Sequence, residues 1–275
     1  MQRSILITGC SSGIGYTAAK ILHKRGYQVI ATARQPADIA RLKSEGLACL
    51  PLDLNSISSI QETLHACLAL TGGYLDAIFN NAGFMLAAGF EDLTPDLIAA
   101  QFNTNTFGPI ELTRQVLPIM RAQGHGRIIQ NSSILGLITL PYYSAYNASK
   151  AALEAFSATL RQELRGTHIS ISIINPGPIT SNLRKTAFGH FQSNLQNQAS
   201  IYKKAYEKLT QQYFSGSEVD KRLTLPPEAV VNKLIAALED RAPKSHYYVG
   251  WAIFATALAK RLLPDSWFDY LITKI

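Results

Sequence analysis

The eight residues TGCSSGIG (8–15) constrain the fold of this chain more than any other stretch. They follow directly on a short apolar run, SILIT (4–8), and open an amphipathic segment from Ile14 to Lys24. A strand that turns sharply into a helix through clustered glycines has a specific physical use. One glycine permits the tight exit from the strand, and others let the backbone approach a pyrophosphate and let the helix pack closely. The helix N-terminus then turns free N–H groups and partial positive charge toward the phosphates. The spacing is not Gly-x-Gly-x-x-Gly, and the Gly-Lys-[Ser/Thr] ending of a nucleotide-triphosphate loop is missing. The loop therefore predicts a dinucleotide site in which Gly9, Ser11, Ser12, Gly13, Ile14 and Gly15 form the cradle.

The rest of the chain repeats the strand–helix alternation. Apolar runs at 27–33, 47–53, 75–83, 126–133 and 169–177 are separated by helical periods at 36–44, 56–70, 94–121 and 142–165. Strand-length runs with helices between them indicate βαβ units and a parallel sheet buried on both faces. Residues 183–224 break this rhythm with polar, Gln-, Lys- and Tyr-rich sequence and no strand signal, which suits a substrate-covering insertion. PPEAVVNKLIAALED (226–240) restores the helical period, and HYYVGWA (246–252) reads as a last edge strand. No repeat or linker divides the chain, so residues 1–275 read as one domain, ending in an apolar helix over 251–275.

Bulk properties narrow the class. A length of 275 residues and 47% hydrophobic content suit one large α/β domain. Three cysteines (Cys10, Cys49, Cys67) lack metal-ligand spacing and point to free thiols in a reducing, cytoplasmic setting. No window reaches the roughly 20 apolar residues of a spanning helix. The 251–275 stretch leaves membrane-surface contact open, although packing on its own domain is the favoured reading. The net charge of +7 is scattered without a run, which argues against nucleic acid and for an anionic cofactor. The six histidines contain no pair three or four apart, so no metal site is expected.

Two further features carry chemistry. At the end of YQVIATAR (27–34), where a carboxylate would hold a ribose 2′-hydroxyl, the chain has Ala33 and then Arg34. A guanidinium clamps a 2′-phosphate that a carboxylate would repel, which favours NADP(H) over NAD(H). In PYYSAYNASK (141–150), Tyr146 and Lys150 lie four residues apart and share a helix face, whereas Tyr142 and Tyr143 have no lysine at that spacing. A phenol near pKa 10 needs help to work at neutral pH. A cation about 4 Å away at an effective dielectric near 20 supplies roughly three pK units at most.

TGCSSGIG, NNAG (80–83), YNASK (146–150) and NPGPI (175–179), in this order and spacing, resemble the short-chain dehydrogenases/reductases over nearly the whole chain. ATAR and the long C-terminal region look most like the branch of 17β-hydroxysteroid and retinol dehydrogenases and bacterial aldehyde reductases. The resemblance implies a Rossmann-type doubly wound parallel sheet of about seven strands, a C-terminal helical substrate lid, and a homodimer or homotetramer. It also implies a catalytic group of Asn105, Ser133, Tyr146 and Lys150, with Asn103 the weaker match for the asparagine. Asp53 and Leu54 would flank the adenine. Asn81, Gly83, Pro176, Gly177 and Ile179 would line the cofactor cleft. Ser181 stands where the family usually has threonine, with Thr180 beside it as the competitor.

On this reading Tyr146 gives or takes the proton, Lys150 biases it and holds the nicotinamide ribose, and Ser133 binds the substrate oxygen. Asn105 anchors a link that relays protons to the lysine. The plainer roles are that Ser133 caps a turn and Asn105 fills a helix kink. Candidate pocket walls are Leu135, Leu137, Leu140, Tyr143, Phe188, Tyr202 and Tyr206, mostly apolar, so the expected substrate is a small lipophilic aldehyde or ketone, or its alcohol. The rival readings are a non-catalytic NADP-binding regulator and an isomerase, epimerase or dehydratase on the same scaffold.

Overall fold

In the computed structural model, residues 2–181, 200–215 and 224–272 are described. Seven strands form one sheet: β1 (Ser4–Ile7), β2 (Gln28–Ala33), β3 (Ala48–Pro51), β4 (Ala77–Asn80), β5 (Gly126–Asn131), β6 (Ile169–Pro176) and β7 (His246–Val249). Their spatial order is β3-β2-β1-β4-β5-β6-β7, with every neighbouring pair parallel. This is the expected doubly wound sheet. HYYV forms the edge strand, and the chain turns at Gly250 into a helix.

Both faces of the sheet are covered, and the period-2 alternation of strand side chains divides the core. Ile5 and Ile7 point to the face packed by α1 (Gly13–Lys24), α2 (Pro36–Ser44) and the helix Pro227–Glu239, while Leu6 points to the opposite face. That opposite face is packed by α3 (Ile57–Thr71), α5 (Gly108–Gln123) and the end of α6 (Ser144–Glu163). Each fully buried Ile or Leu contributes roughly 1.5–3 kcal/mol.

The expected helix over 94–121 is interrupted. It divides into α4 (Pro95–Phe102), a π turn (Asn103–Phe107) and α5. Pro109 has no N–H to offer the carbonyl of Asn105, so regular α bonding fails there. Gly108 answers a close approach at the same point, because a Cβ on it would lie 2.5 Å from the Leu54 carbonyl oxygen.

Of the 183–224 insertion, the described part contains α7 (Lys203–Ser215). The Pro227–Glu239 helix is α8. The single C-terminal helix expected over 251–275 is instead two, α9 (Trp251–Leu262) and α10 (Asp265–Ile272), with Pro264 between them. Phe268 of α10 is buried with Ile134 and Ile138, so this region packs on its own domain. Among the described residues no helix is long and apolar enough to cross a membrane.

The strands stop short of their apolar runs. They end at Ile7, Pro51, Asn80, Asn131 and Pro176, and the residues just beyond bend outward to build the site.

Candidate active site

A cavity of about 1240 Å³ opens at the carboxyl ends of the strands, beside the point where strand order reverses between β1 and β4. Its wall contains Gly9, Ser11, Ser12, Gly13, Ile14, Arg34, Asp53, Leu54, Asn81, Gly83, Pro176, Gly177, Ile179 and Ser181, as expected of a cofactor cleft. Ser133, Tyr146 and Lys150 stand on the same wall. Thr180 does not line it, so Ser181 is the hydroxyl placed there.

The glycine loop is held by close packing. Gly9 has φ +72°, and a Cβ on it would lie 2.8 Å from the Ala82 Cα. Gly15 is a packing residue and not a wall residue: its Cβ would lie 2.3 Å from the Gly9 carbonyl oxygen and 2.5 Å from Asn81 Nδ2. Asn81 straps the loop, donating from Nδ2 to the Thr8 carbonyl at 2.9 Å and accepting from Asn131 Nδ2 at 3.0 Å. Thr8 Oγ1 accepts from the backbone N–H groups of Asn81 and Ala82, both at 2.9 Å. Arg34 is exposed at the end of β2 and has no ion pair or hydrogen bond among the described residues. The wall glycines Gly9 and Gly13 at the strand–helix turn, the unpaired guanidinium and the buried, unpartnered Asn131 Oδ1 on the wall together suit a bound dinucleotide.

Tyr146 and Lys150 are buried on one face of α6. Lys150 Nζ donates to the Asn131 carbonyl at 2.8 Å and stands 6.0 Å from the Tyr146 ring centre. Burial pushes the Tyr146 phenol up to about 12, opposed by a hydrogen bond from Ser133. Burial also pushes the Lys150 ammonium down to about 8, opposed by the charge of Glu154. The lysine is aimed at a carbonyl and not at the phenol, and desolvation sets the direction of the Tyr146 shift.

Ser133 shows the plainer of the two roles expected of it. Its Oγ accepts from the Leu135 N–H at 3.1 Å, capping the short 3₁₀ turn Ile134–Gly136, and its hydroxyl holds the Tyr146 pKa down against burial. Asn105 stands behind the cavity wall and does not line it. From the π turn its Oδ1 accepts from Phe84 N–H at 3.0 Å, and its Nδ2 donates to the Phe84 carbonyl at 2.9 Å and to Ser149 Oγ at 3.3 Å. It therefore acts through the loop after β4.

At the apolar end, Leu135, Leu140 and Tyr143 line the cavity as expected. Phe188 lies outside the described residues. Leu137, Tyr202 and Tyr206 do not line the cavity. Leu137 packs with Phe268, and Tyr202 and Tyr206, one turn apart, pack on Ala88, Leu93 and Leu97. The other side of α7 supplies Ala205, Lys208 and Leu209 to the wall, and α9 supplies Ile253 and Thr256.

Sequence reasoning also missed Gln101, one turn before Asn105. Its Oε1 accepts from Leu86 N–H at 2.8 Å and its Nε2 donates to the Phe84 carbonyl at 2.8 Å, so the two amides clamp one loop. The i, i+4 spacing was the available signal. Tyr142 was passed over as well. It holds φ +70°, a conformation L-residues rarely adopt, at the entry to α6, and its carbonyl accepts from Ala88 N–H at 2.8 Å.

Known proteins resemble this chain in sequence and in fold. The family model described as short chain dehydrogenase matches residues 3–190. The Uncharacterized oxidoreductase YbbO of Escherichia coli K12 is 39% identical over 99% of this chain and 94% of its own length. A short-chain dehydrogenase structure from Streptomyces avermitilis superposes with TM-score 0.80 at 26% identity, covering 99% of this chain and 96% of that one. A closed serine dehydrogenase structure with NADP+ gives TM-score 0.74 at 25% identity, covering 89% and 93%.

Proposed function

The chain belongs to the short-chain dehydrogenase/reductase family, and on that premise we propose that it interconverts a lipophilic aldehyde or ketone and its alcohol using NADP(H). The observation that carries this reading is the convergence of Ser133, Tyr146 and Lys150 on one wall of a cavity whose other parts are a glycine cradle and an apolar pocket.

When bound, the cofactor supplies or accepts the hydride. The glycine loop and the N-terminus of α1 hold its phosphates, and the unpaired Arg34 takes the 2′-phosphate. Serine dehydrogenase with NADP+ is a structural relative consistent with this choice. Tyr146, with its pKa pushed up to about 12, keeps its proton at neutral pH and is ready to donate it to a carbonyl oxygen. Ser133, on the same wall as that phenol, steadies the oxygen as charge develops. Lys150 restores the phenol's charge balance and holds the nicotinamide ribose. Asn105 and Gln101 keep the Phe84 loop in place behind these groups. Leu135, Leu140, Tyr143, Met85 and Ile253 exclude water from the reacting end, and α7 and α9 act as its lid.

The test is consumption of NADPH, and separately NADH, followed at 340 nm against aliphatic, aromatic, retinoid and steroid carbonyls. Turnover with an apolar carbonyl that drops by about a hundredfold or more in Tyr146→Phe, with NADPH binding retained, is the expected result. NADPH binding without turnover across the panel would return the protein to the regulatory class, and near-normal turnover by Tyr146→Phe would remove the tyrosine from the mechanism.

A further inference from the structure

One turn beyond Lys150 on α6 lies a carboxylate that the proposed chemistry does not use. Glu154 is 9% exposed and does not line the cavity. Its Oε1 accepts from Asn175 Nδ2 at 2.6 Å, and its Oε2 accepts from His246 Nε2 at 3.0 Å. An ionised carboxylate can only accept, so both neighbours must donate, which fixes a proton on His246 Nε2. The Asn175 amide also donates to the Ser133 carbonyl at 3.2 Å. One acidic group thus links α6 to the end of β6, to the edge strand β7 and to the serine loop.

The serine loop is pressed against this turn of α6. A Cβ on Gly136 would lie 2.9 Å from Ser132 Oγ and 3.2 Å from both Glu154 Cγ and the Lys150 carbonyl carbon. Any tilt of this part of α6 would move Lys150 and Ser133 together. Placing a charge here is costly for the fold, since an apolar side chain of similar size would avoid the desolvation of the carboxylate. What the carboxylate provides and an apolar group does not is a negative field on the buried Lys150 ammonium, whose hydrogen bond to protein goes to the neutral Asn131 carbonyl.

We propose that Glu154 is a positioning residue of this active site: held by Asn175 and His246, it sets a carboxylate one helical turn from Lys150, and through Asn175 it fixes the backbone of Ser133. The inference rests on the catalytic reading above. The titratable groups facing the pair are Tyr146 on α6 and His246 and Tyr248 on β7. Arg261 of α9 acts on Tyr248. From β5, β6 and the π turn, the facing groups are the neutral side chains of Asn131, Ser133, Asn175 and Asn105. Burial lowers the Lys150 pKa and Glu154 raises it, so removing the acid lets the lysine lose its proton at lower pH.

Glu154→Gln separates charge from shape. Its Oε1 still accepts from Asn175, and its amide donates to His246 Nε2 once the ring proton moves to Nδ1, which faces Ser245 Oγ at 3.3 Å. The pH dependence of kcat/KM in the reductive direction and of the NADPH dissociation constant, read by fluorescence, would be compared in wild type, Glu154→Gln, Glu154→Asp and His246→Gln. In Glu154→Gln the alkaline limb of both profiles should move down by about half a pH unit or more, a loss of about threefold at pH 9 with values within about twofold at pH 6. Glu154→Asp and His246→Gln keep the acid and should keep the wild-type limb, whatever they do to the melting temperature. Coincident limbs in Glu154→Gln and wild type would overturn the proposal. So would a shifted limb in His246→Gln, which decides the matter even where Glu154→Gln does not fold. If wild type binds NADPH but turns over nothing, the binding profile still reports on Glu154, and it is the enzymatic reading that fails.

Discussion

The Lys150 ammonium donates to the backbone carbonyl of Asn131 at 2.8 Å while standing 6.0 Å from the centre of the Tyr146 ring. The lysine is thus tied to the end of β5, two residues before the serine that shares the cavity wall with the tyrosine. The three groups are registered by one strand end and one helix face, and the lysine's charge is largely buried there.

That burial has a measurable consequence for stability. Lys150 falls from 10.5 in the unfolded chain to about 8 in the fold. A depressed lysine pKa means that the folded state resists carrying the proton, so the penalty is full below pH 8. Between pH 8 and 10.5 the unfolded chain still binds a proton that the fold has released, and stability rises with pH. Replacing Lys150 with Met should therefore raise stability at pH 7, by about 1–2 kcal/mol once the unpaired Asn131 carbonyl is counted against a gross term of roughly 3 kcal/mol. The gain over wild type should fade as the pH approaches 10, and carbonyl reduction should be lost. Denaturant melts at pH 7, 8.5 and 10 check this, and a Lys150→Met protein less stable than wild type at pH 7 would contradict it.

How much of this was legible in the sequence depends on whether a feature is local. The glycine loop, Arg34 and the Tyr146–Lys150 pair are set by spacing within one turn or one loop, and the structure places each on the cavity wall. Gly15 belongs to the same motif but lies off the wall, and its contact is with the Gly9 carbonyl, which no spacing reveals. The break at Pro109 was hidden because 94–121 keeps its helical period through the π turn. Tyr202 and Tyr206 were assigned to the pocket on residue type, and the phase of α7 sends them to the other side. Glu154 and His246 are 92 residues apart, so only the parallel pairing of β6 with β7 brings them together.

Arg34 governs which dinucleotide is preferred. It stands exposed on the cavity wall without an internal partner, so replacing it should cost the fold little, within about 0.5 kcal/mol. Arg34→Asp should repel a 2′-phosphate and accept a ribose hydroxyl. The ratio of kcat/KM for NADPH to that for NADH should fall at least about tenfold, equivalent to 1.4 kcal/mol. An unchanged ratio would assign the phosphate contact elsewhere.

Gly15 tests the cradle itself. A methyl group there meets the Gly9 carbonyl at 2.3 Å and Asn81 Nδ2 at 2.5 Å, both parts of the strap that shapes the loop. Gly15→Ala should lower stability by about 1–3 kcal/mol, the usual cost of overpacking, and weaken NADPH binding more than tenfold. Thermal melts with and without NADPH read both effects. A variant with a wild-type dissociation constant would show that the loop has room the structure does not give it.

One hydroxyl joins α7 to the loop after β4 at two points. Tyr206 Oη accepts from the Gly89 N–H at 2.8 Å and donates to the Asp92 carboxylate, which also accepts from Ser200 Oγ at 2.6 Å. Gly89 is needed because a Cβ on it would lie 2.2 Å from the Tyr202 ring, so helix and loop are in van der Waals contact there. Tyr206→Phe keeps that packing but leaves the buried Gly89 N–H without its acceptor, a loss of about 1–3 kcal/mol. The loss should be local to the segment, since the sheet and its two cores do not depend on α7. Because Ala205, Lys208 and Leu209 reach the cavity from the same helix, loosening it should raise KM for large carbonyls several-fold and leave small ones nearly unaffected. Amide exchange over 200–215 should quicken while exchange in β1, β4 and β5 stays unchanged. Equal loss across all substrates, with exchange altered throughout the sheet, would mean that α7 supports the whole domain and does not act as a cover.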